Sequence, residues 1–227
     1  MEQKKLISKF WLYRFIPDKF INYLDLIRFD KPVGFLLLMW PCWFSLALFN
    51  IKELKLYVLF FIGSFSMRSV GCIINDYIDR KIDKSVRRTA VRPLASGKVS
   101  FFEALMILII FLSISFIVLL QFNALSILIG ILSIPLVILY PFMKRFTYWP
   151  QLFLGIIFSL GAIISSTQIN ENINSQTLLI YIACIFWTLG YDTIYAYQDR
   201  EDDIKIDLKS TALLFENRGK IFVMTFY

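Results

Sequence analysis

The chain has 227 residues, 58% apolar and only 18% charged, with a mean hydropathy of +0.65 and a formal net charge of +7. A soluble domain is roughly half apolar and about a quarter charged, so these figures exclude disorder, a coiled coil and a disulfide scaffold, and leave a chain whose solvent is mostly lipid. His is absent, which removes imidazole bases, His metal ligands and His-containing triads.

Residues 1–32 are mixed, basic and amphipathic, with Pro17 as a break. They read as a cytoplasmic or interfacial N-terminal segment, with no h-region of a cleavable signal peptide. Residues 33–227 form the membrane domain. Six apolar stretches follow at Val33–Phe49, Leu56–Ile78, Phe101–Leu120, Ala124–Phe142, Trp149–Ile169 and Thr177–Ala196. Each approaches the roughly 20 residues that a helix needs to cross a bilayer core. Their apolar residues run all round rather than along one face, as in helices surrounded by lipid and by one another. A further apolar run starts at Ile221 and stops at Tyr227, so the chain reads as ending partway into a seventh helix. The fold class is all-α: a polytopic transmembrane bundle of six spans and a truncated seventh. Cys42, Cys72 and Cys184 lie far apart in apolar stretches, form no CxxC pair, and read as packing residues.

Lys and Arg gather before the first span, in 80–98, at Lys144-Arg145 and in 200–220; the intervening connections carry only Lys52 and Lys55. That alternation puts both termini and all the basic loops on the cytoplasmic side. The positive charge is thereby explained as loop bias rather than nucleic-acid binding, and no obligate protein partner is evident.

The chemistry sits where the second and sixth spans reach that side. Asn75, Asp79 and Asp83 are spaced i, i+4, i+8 and share one helix face, with Arg68 two turns earlier pointing the same way. Asp192, Tyr195, Asp199 and either Asp202 or Asp203 share a second face. Carboxylates at a helix C-terminus oppose the helix dipole, and stacking them every four residues adds repulsion. A cost met twice at the same depth points to cations between the acids. Hard oxygen ligands without His or Cys point to Mg²⁺, which completes its shell with substrate phosphates. The expectation is a diphosphate held by Mg²⁺ between two Asp-rich helix ends. Arg87, Arg88 and Arg92, in the loop after the first cluster, are candidates to neutralise a departing pyrophosphate. Arg68 needs a partner or a wet cavity inside the membrane. Lys209 reaches either the same anion or a lipid headgroup.

An ordered series of segments resembles the UbiA superfamily of intramembrane prenyltransferases, and within it the 4-hydroxybenzoate polyprenyltransferases. It runs from Arg28-Phe29-Asp30-Lys31-Pro32-Val33-Gly34 through Leu38-Met39-Trp40-Pro41 and Met67-Arg68-Ser69-Val70-Gly71-Cys72 to Asn75-Asp76-Tyr77-Ile78-Asp79-Arg80-Lys81-Ile82-Asp83. Arg88-Thr89, Arg92-Pro93-Leu94-Ala95-Ser96-Gly97, Tyr140-Pro141-Phe142-Met143-Lys144-Arg145, Asp192-Thr193-Ile194-Tyr195-Ala196-Tyr197-Gln198-Asp199 and Lys209-Ser210-Thr211-Ala212 complete it.

The resemblance implies transfer of a polyprenyl group from its diphosphate to the ring of 4-hydroxybenzoate, in ubiquinone synthesis. It implies a bacterial or mitochondrial inner membrane, with the Asp motifs on the cytoplasmic or matrix side. Asn75, Asp79 and Asp83, with Asp199 and Asp203, match its Mg²⁺–diphosphate ligands, and Arg145 matches a position proposed to hold the aromatic carboxylate. Arg28, Lys144 and Tyr195 fall in its substrate-binding segments. The family has about nine membrane helices. For the ring proton, Asp192, Asp199 and the departing pyrophosphate are the candidate acceptors. Homogentisate, a naphthoate or haem as acceptor, a cation-coupled transporter, and a nonenzymatic remnant are the rival readings.

Overall fold

Each apolar stretch is a helix in the computed structural model, which describes residues 15–227 apart from 87 and 206, and not the side chains of Asp18 and Asp202. The expectations for residues 1–14 and for Arg87 lie outside the described residues. The helices are α1 (Asp18–Leu26), α2 (Val33–Leu48), α3 (Leu54–Asp83), α4 (Phe101–Leu119), α5 (Ala124–Phe146), α6 (Pro150–Asn170), α7 (Ser175–Ala196), α8 (Arg200–Lys205), α9 (Thr211–Phe215) and α10 (Gly219–Phe226). Among the described residues there is no strand. Five helices, α3 to α7, are long and apolar enough to cross a membrane. The 16 residues of α2 rise about 24 Å, short of a straight crossing of a core about 30 Å thick.

Local sequence sets the helix ends. Ser100 and Glu103 form a reciprocal capping box on α4, and the Asn123 and Asn174 side chains cap α5 and α7 by accepting from Ser126 N and Thr177 N. Arg80 and Lys81 lie in the last turn of α3, where positive charge suits the dipole and offsets its acids.

The hub is α6, packed against α2, α5 and α7. Without a hydrophobic force between helices in lipid, such contacts rest on close approach and shared hydroxyls. A β-carbon at Gly155 would lie 3.0 Å from the Ile185 carbonyl oxygen of α7, and one at Gly161 would collide with Cys42 Sγ of α2. Ser165 Oγ donates to the Cys42 carbonyl at 3.0 Å, Ser126 and Thr167 hydroxyls meet at 2.9 Å, and Ser166 meets Thr177. On the outside, Ile110, Ile117, Leu132, Leu139 and Leu179 are exposed, as lipid-facing residues are. Helix α4 packs on α3 and α5 on α6, while α4 and α5 touch sparsely. The space between these pairs is a large cavity.

The second acidic segment departs from expectation. A single helix was expected to carry Asp192, Tyr195 and Asp199 on one face, but α7 stops at Ala196 and α8 restarts at Arg200. Extending α7 would string Asp199, Glu201, Asp202 and Asp203 along a helix C-terminus, against its dipole. The break instead puts Asp199 at the start of α8, its carbonyl accepting from Asp203 N at 2.9 Å. The last apolar run begins its helix at Gly219, slightly earlier than expected, and α10 lies against α7.

Candidate active site

The cavity has a volume of about 2760 Å³. Its length is apolar, bounded by residues such as Leu59, Phe60, Val118, Phe122, Ile131 and Ile134, and its charged end lies where α3 and α7 finish. Of the residues expected to act, Arg28, Arg68, Asn75, Asp83, Arg88, Arg92, Lys144, Asp192, Tyr195, Asp199, Asp203 and Lys209 all line this one space. The two acidic segments, more than a hundred residues apart in sequence, share a pocket.

Each acid on α3 is held by basic side chains from other elements. Asp76 is 1% exposed; both of its oxygens accept from Arg28 Nη2 at 2.7 Å, and Arg92 Nη1 lies 3.2 Å from Oδ1. Arg92 Nη1 also donates to Asp83 Oδ2 at 2.8 Å. Burial pulls the Arg92 guanidinium toward losing its proton, but Asp76 and Asp83 outweigh this and raise its pKa. Asp79 is fully buried between Lys144 Nζ and Arg145, whose Nη2 is 3.2 Å from Oδ1. At the other wall, Arg88 Nη2 donates to Asp199 Oδ2 at 2.7 Å.

Arg28 reaches Asp76 because of a backbone turn. It closes α1 with φ 59, with Phe29 N bonding to Leu24 O and Arg28 N to Asp25 O, a Schellman ending whose left-handed position Gly usually fills. A non-Gly residue there is strained, and such strain persists where surrounding contacts fix it; here the ion pair from Arg28 Nη2 to both oxygens of Asp76 is such a contact.

Arg68 stands apart, deeper in the cavity. Its guanidinium lies 5.7 Å over the Phe158 ring, electrostatically attracted to Asp192, and its Nε is buried without a hydrogen-bond partner. Gly34 makes room for it: a β-carbon there would lie 2.7 Å from Nε. The Tyr191 hydroxyl beside Asp192 is likewise buried and unpartnered.

Two expected residues sit differently. Asp79 and Arg145 are not in the cavity lining, because they pair with each other behind Lys144. Lys209 donates to the Phe146 carbonyl at 3.5 Å and lies over the Tyr148 ring. The sequence reading gave no role to Asp76; its signal was its place one residue after Asn75, three before Asp79 and seven before Asp83, which completes an acidic stripe. Among the described residues no three Asp, Glu, Cys or His side chains cluster as a ready metal cage.

Residues 37–227 match the model of the UbiA prenyltransferase family. The chain belongs to that family. As a UbiA protein it is an integral, multi-pass membrane prenyltransferase. It is 43% identical over 206 residues to the 4-hydroxybenzoate octaprenyltransferase of Pseudomonas savastanoi pv. phaseolicola, covering 90% of this chain and 70% of that one. It is 42% identical over 221 residues to the mitochondrial 4-hydroxybenzoate polyprenyltransferase of Arabidopsis thaliana, covering 95% of this chain and 54% of the plant protein, about half its length. The UbiA homologue of Archaeoglobus fulgidus solved with DMAPP and Mg²⁺ has the same fold, with a TM-score of 0.70 at 23% identity over 91% of this chain and 73% of that one.

Proposed function

We propose that this UbiA protein transfers a polyprenyl group from its diphosphate to the ring of 4-hydroxybenzoate, in ubiquinone synthesis, with Mg²⁺ as cofactor. The observation that carries the reading is one cavity, apolar along its length, with Asp83, Asp199 and Asp203 facing Arg88 and Arg92 at one end. The relatives from Pseudomonas and Arabidopsis carry this activity in their names, and the Archaeoglobus homologue binds a prenyl diphosphate with Mg²⁺.

The residues fit the metal. Magnesium needs only one or two carboxylates when phosphates complete its shell, and the cavity offers Asn75 and Asp83 on one wall and Asp199 and Asp203 on the other. The missing three-acid cage is therefore no obstacle. Asp79, the further ligand by resemblance, is paired with Lys144 and lies outside the cavity lining. When bound there, Mg²⁺ would supply positive charge to the diphosphate leaving group. Arg88 and Arg92, with Arg87, add charge to the leaving group, and Lys144 and Lys209 stand beside it.

The acceptor lies deeper. Arg68 lines the cavity without an ion pair among the described residues, so it takes the aromatic carboxylate in preference to Arg145, which is engaged by Asp79. Asp192, across the same space, receives the proton that the ring carbon loses after attack. Arg28 keeps Asp76 in place, and Tyr195 closes the wall beside Asp199. The acidic ends and both termini face the cytoplasm or matrix of an inner membrane, by the loop charge bias.

Membranes holding the full chain, given labelled 4-hydroxybenzoate, a polyprenyl diphosphate and Mg²⁺, are expected to form prenylated product that EDTA abolishes. Absence of product with 4-hydroxybenzoate, and its appearance with homogentisate or a naphthoate, would reassign the acceptor. Product undiminished by EDTA would remove the metal from the reading.

A further inference from the structure

Arg88 and Arg92 both belong to the connection between α3 and α4, and each is spent on an acid of the site. Arg92 bridges Asp83 at 2.8 Å and Asp76 at 3.2 Å, with the Arg side chain 20% exposed and the acids 6% and 1%. Arg88 spans to Asp199 at 2.7 Å, so the same connection is tied to both acidic walls. A divalent ion reaching Asp83 or Asp199 meets a carboxylate already neutralised. An anion reaching Arg92 or Arg88 meets a guanidinium already neutralised. Either one alone must break an ion pair and leave a partly buried charge without its partner, which is costly. Both together leave none: the acids turn to the metal, and the guanidinium forks turn to phosphate oxygens, for which their geometry is suited.

We propose that Arg92, assisted by Arg88, exchanges partners when the site fills, from carboxylate to diphosphate, so that divalent cation and diphosphate bind with strong positive coupling. This rests on the reading that the site takes a metal–diphosphate. The coupling is a property of this chain's own ion pairs and is reciprocal by thermodynamic necessity. The free pairs also exclude a lone metal or a lone phosphate from a site open to the cavity, and they hold the α3–α4 connection in place until the right ligand arrives.

The sign of one effect sets this apart from a merely structural role. Deleting the guanidinium frees Asp83, so Arg92→Gln should bind Mg²⁺ alone more tightly, although it removes a positive residue that binds the substrate. Purified full-length protein in detergent would be titrated calorimetrically with MgCl₂, with inorganic pyrophosphate, and with the preformed magnesium–pyrophosphate complex. The unsubstituted protein is expected to bind the complex at least about tenfold more tightly than either component. Arg92→Gln is expected to tighten MgCl₂ binding about fivefold or more while weakening both pyrophosphate and the complex. Arg92→Lys, which keeps the charge, should return MgCl₂ binding toward the original value. The melting curve of each variant is recorded alongside, so that a gain in metal affinity is read on folded protein. If the unsubstituted chain binds none of the three titrants, the metal–diphosphate reading itself fails and the exchange with it. If it binds the complex but Arg92→Gln leaves MgCl₂ binding unchanged or weaker, the exchange alone is overturned.

Discussion

Replacing Gly34 by Ala tests the acceptor end of the site without touching a charged residue. The added β-carbon would lie 2.7 Å from Arg68 Nε, 3.1 Å from Nη2 and 3.3 Å from Cζ. What it meets is the far end of a long side chain, so the helices keep their places while the guanidinium moves aside by a few tenths of an ångström or more. Hydrogen bonds between charged groups contribute about 1.5–3 kcal/mol, so losing the aligned carboxylate contact should lower kcat/KM for 4-hydroxybenzoate by roughly 10- to 100-fold. Efficiency toward the polyprenyl diphosphate, bound at the other end, should stay within about twofold. The assay is product formation in membranes with each substrate varied in turn, repeated in an Arg68→Ala background. There Gly34→Ala should cost nothing further, because the group it displaces is gone. Full acceptor efficiency in Gly34→Ala, or an equal loss in both backgrounds, would refute the assignment of Arg68.

Asp199→Ala should abolish activity with little change in melting temperature, because its pair with Arg88 is half-exposed and such pairs contribute about 1 kcal/mol or less; a folded, active variant would remove Asp199 from the metal site. Asp79→Ala should lose activity and stability together, by about 3–5 kcal/mol, since it strands Lys144 and Arg145 around a buried gap; an unchanged melting curve would contradict that packing. Gly155→Ala presses a methyl against the Ile185 carbonyl and should destabilise the α6–α7 contact by about 1–3 kcal/mol, read as a lower melting temperature in detergent; no shift would mean the helices are further apart. Burial, helped by Asp30, raises the Asp25 carboxyl above the usual carboxylate range. The folded chain thus holds that proton more tightly than the unfolded chain, and the ionisation penalty appears as pH rises through the raised value. Asp25→Asn should therefore raise the melting temperature near about pH 7 and leave it unchanged below about pH 4; equal shifts at both would remove the titration from the explanation.

Hydropathy located the apolar helices well, because burial in lipid leaves its mark on every residue of a span. Both α3 and α5 run beyond their apolar stretches, to Asp83 and Phe146, since a helix end need not coincide with the end of its apolar stretch. The acidic faces of α3 were legible from spacing, and so was the anomaly of Arg68. The break between Ala196 and Arg200 was not, because periodicity alone cannot tell where repulsion at a helix end will stop propagation. Nor were the ion pairs. Arg28 with Asp76, Lys144 with Asp79 and Arg88 with Asp199 join residues 48, 65 and 111 apart. Spacing along one helix says nothing of what a second helix brings to meet it. That is why Asp76 went without a role and the pairing of Arg145 with Asp79 was not foreseen.

The left-handed turn at Arg28 ties the segment ahead of α2 to an acid buried at the charged end of the cavity. A short amphipathic stretch ahead of the first span looks like packaging that an expression vector might trim, yet shortening or rigidly fusing it near α1 would loosen the hand that steadies Asp76. The reach of the candidate site therefore extends upstream of α2, into a part of the chain that its hydropathy would mark as dispensable.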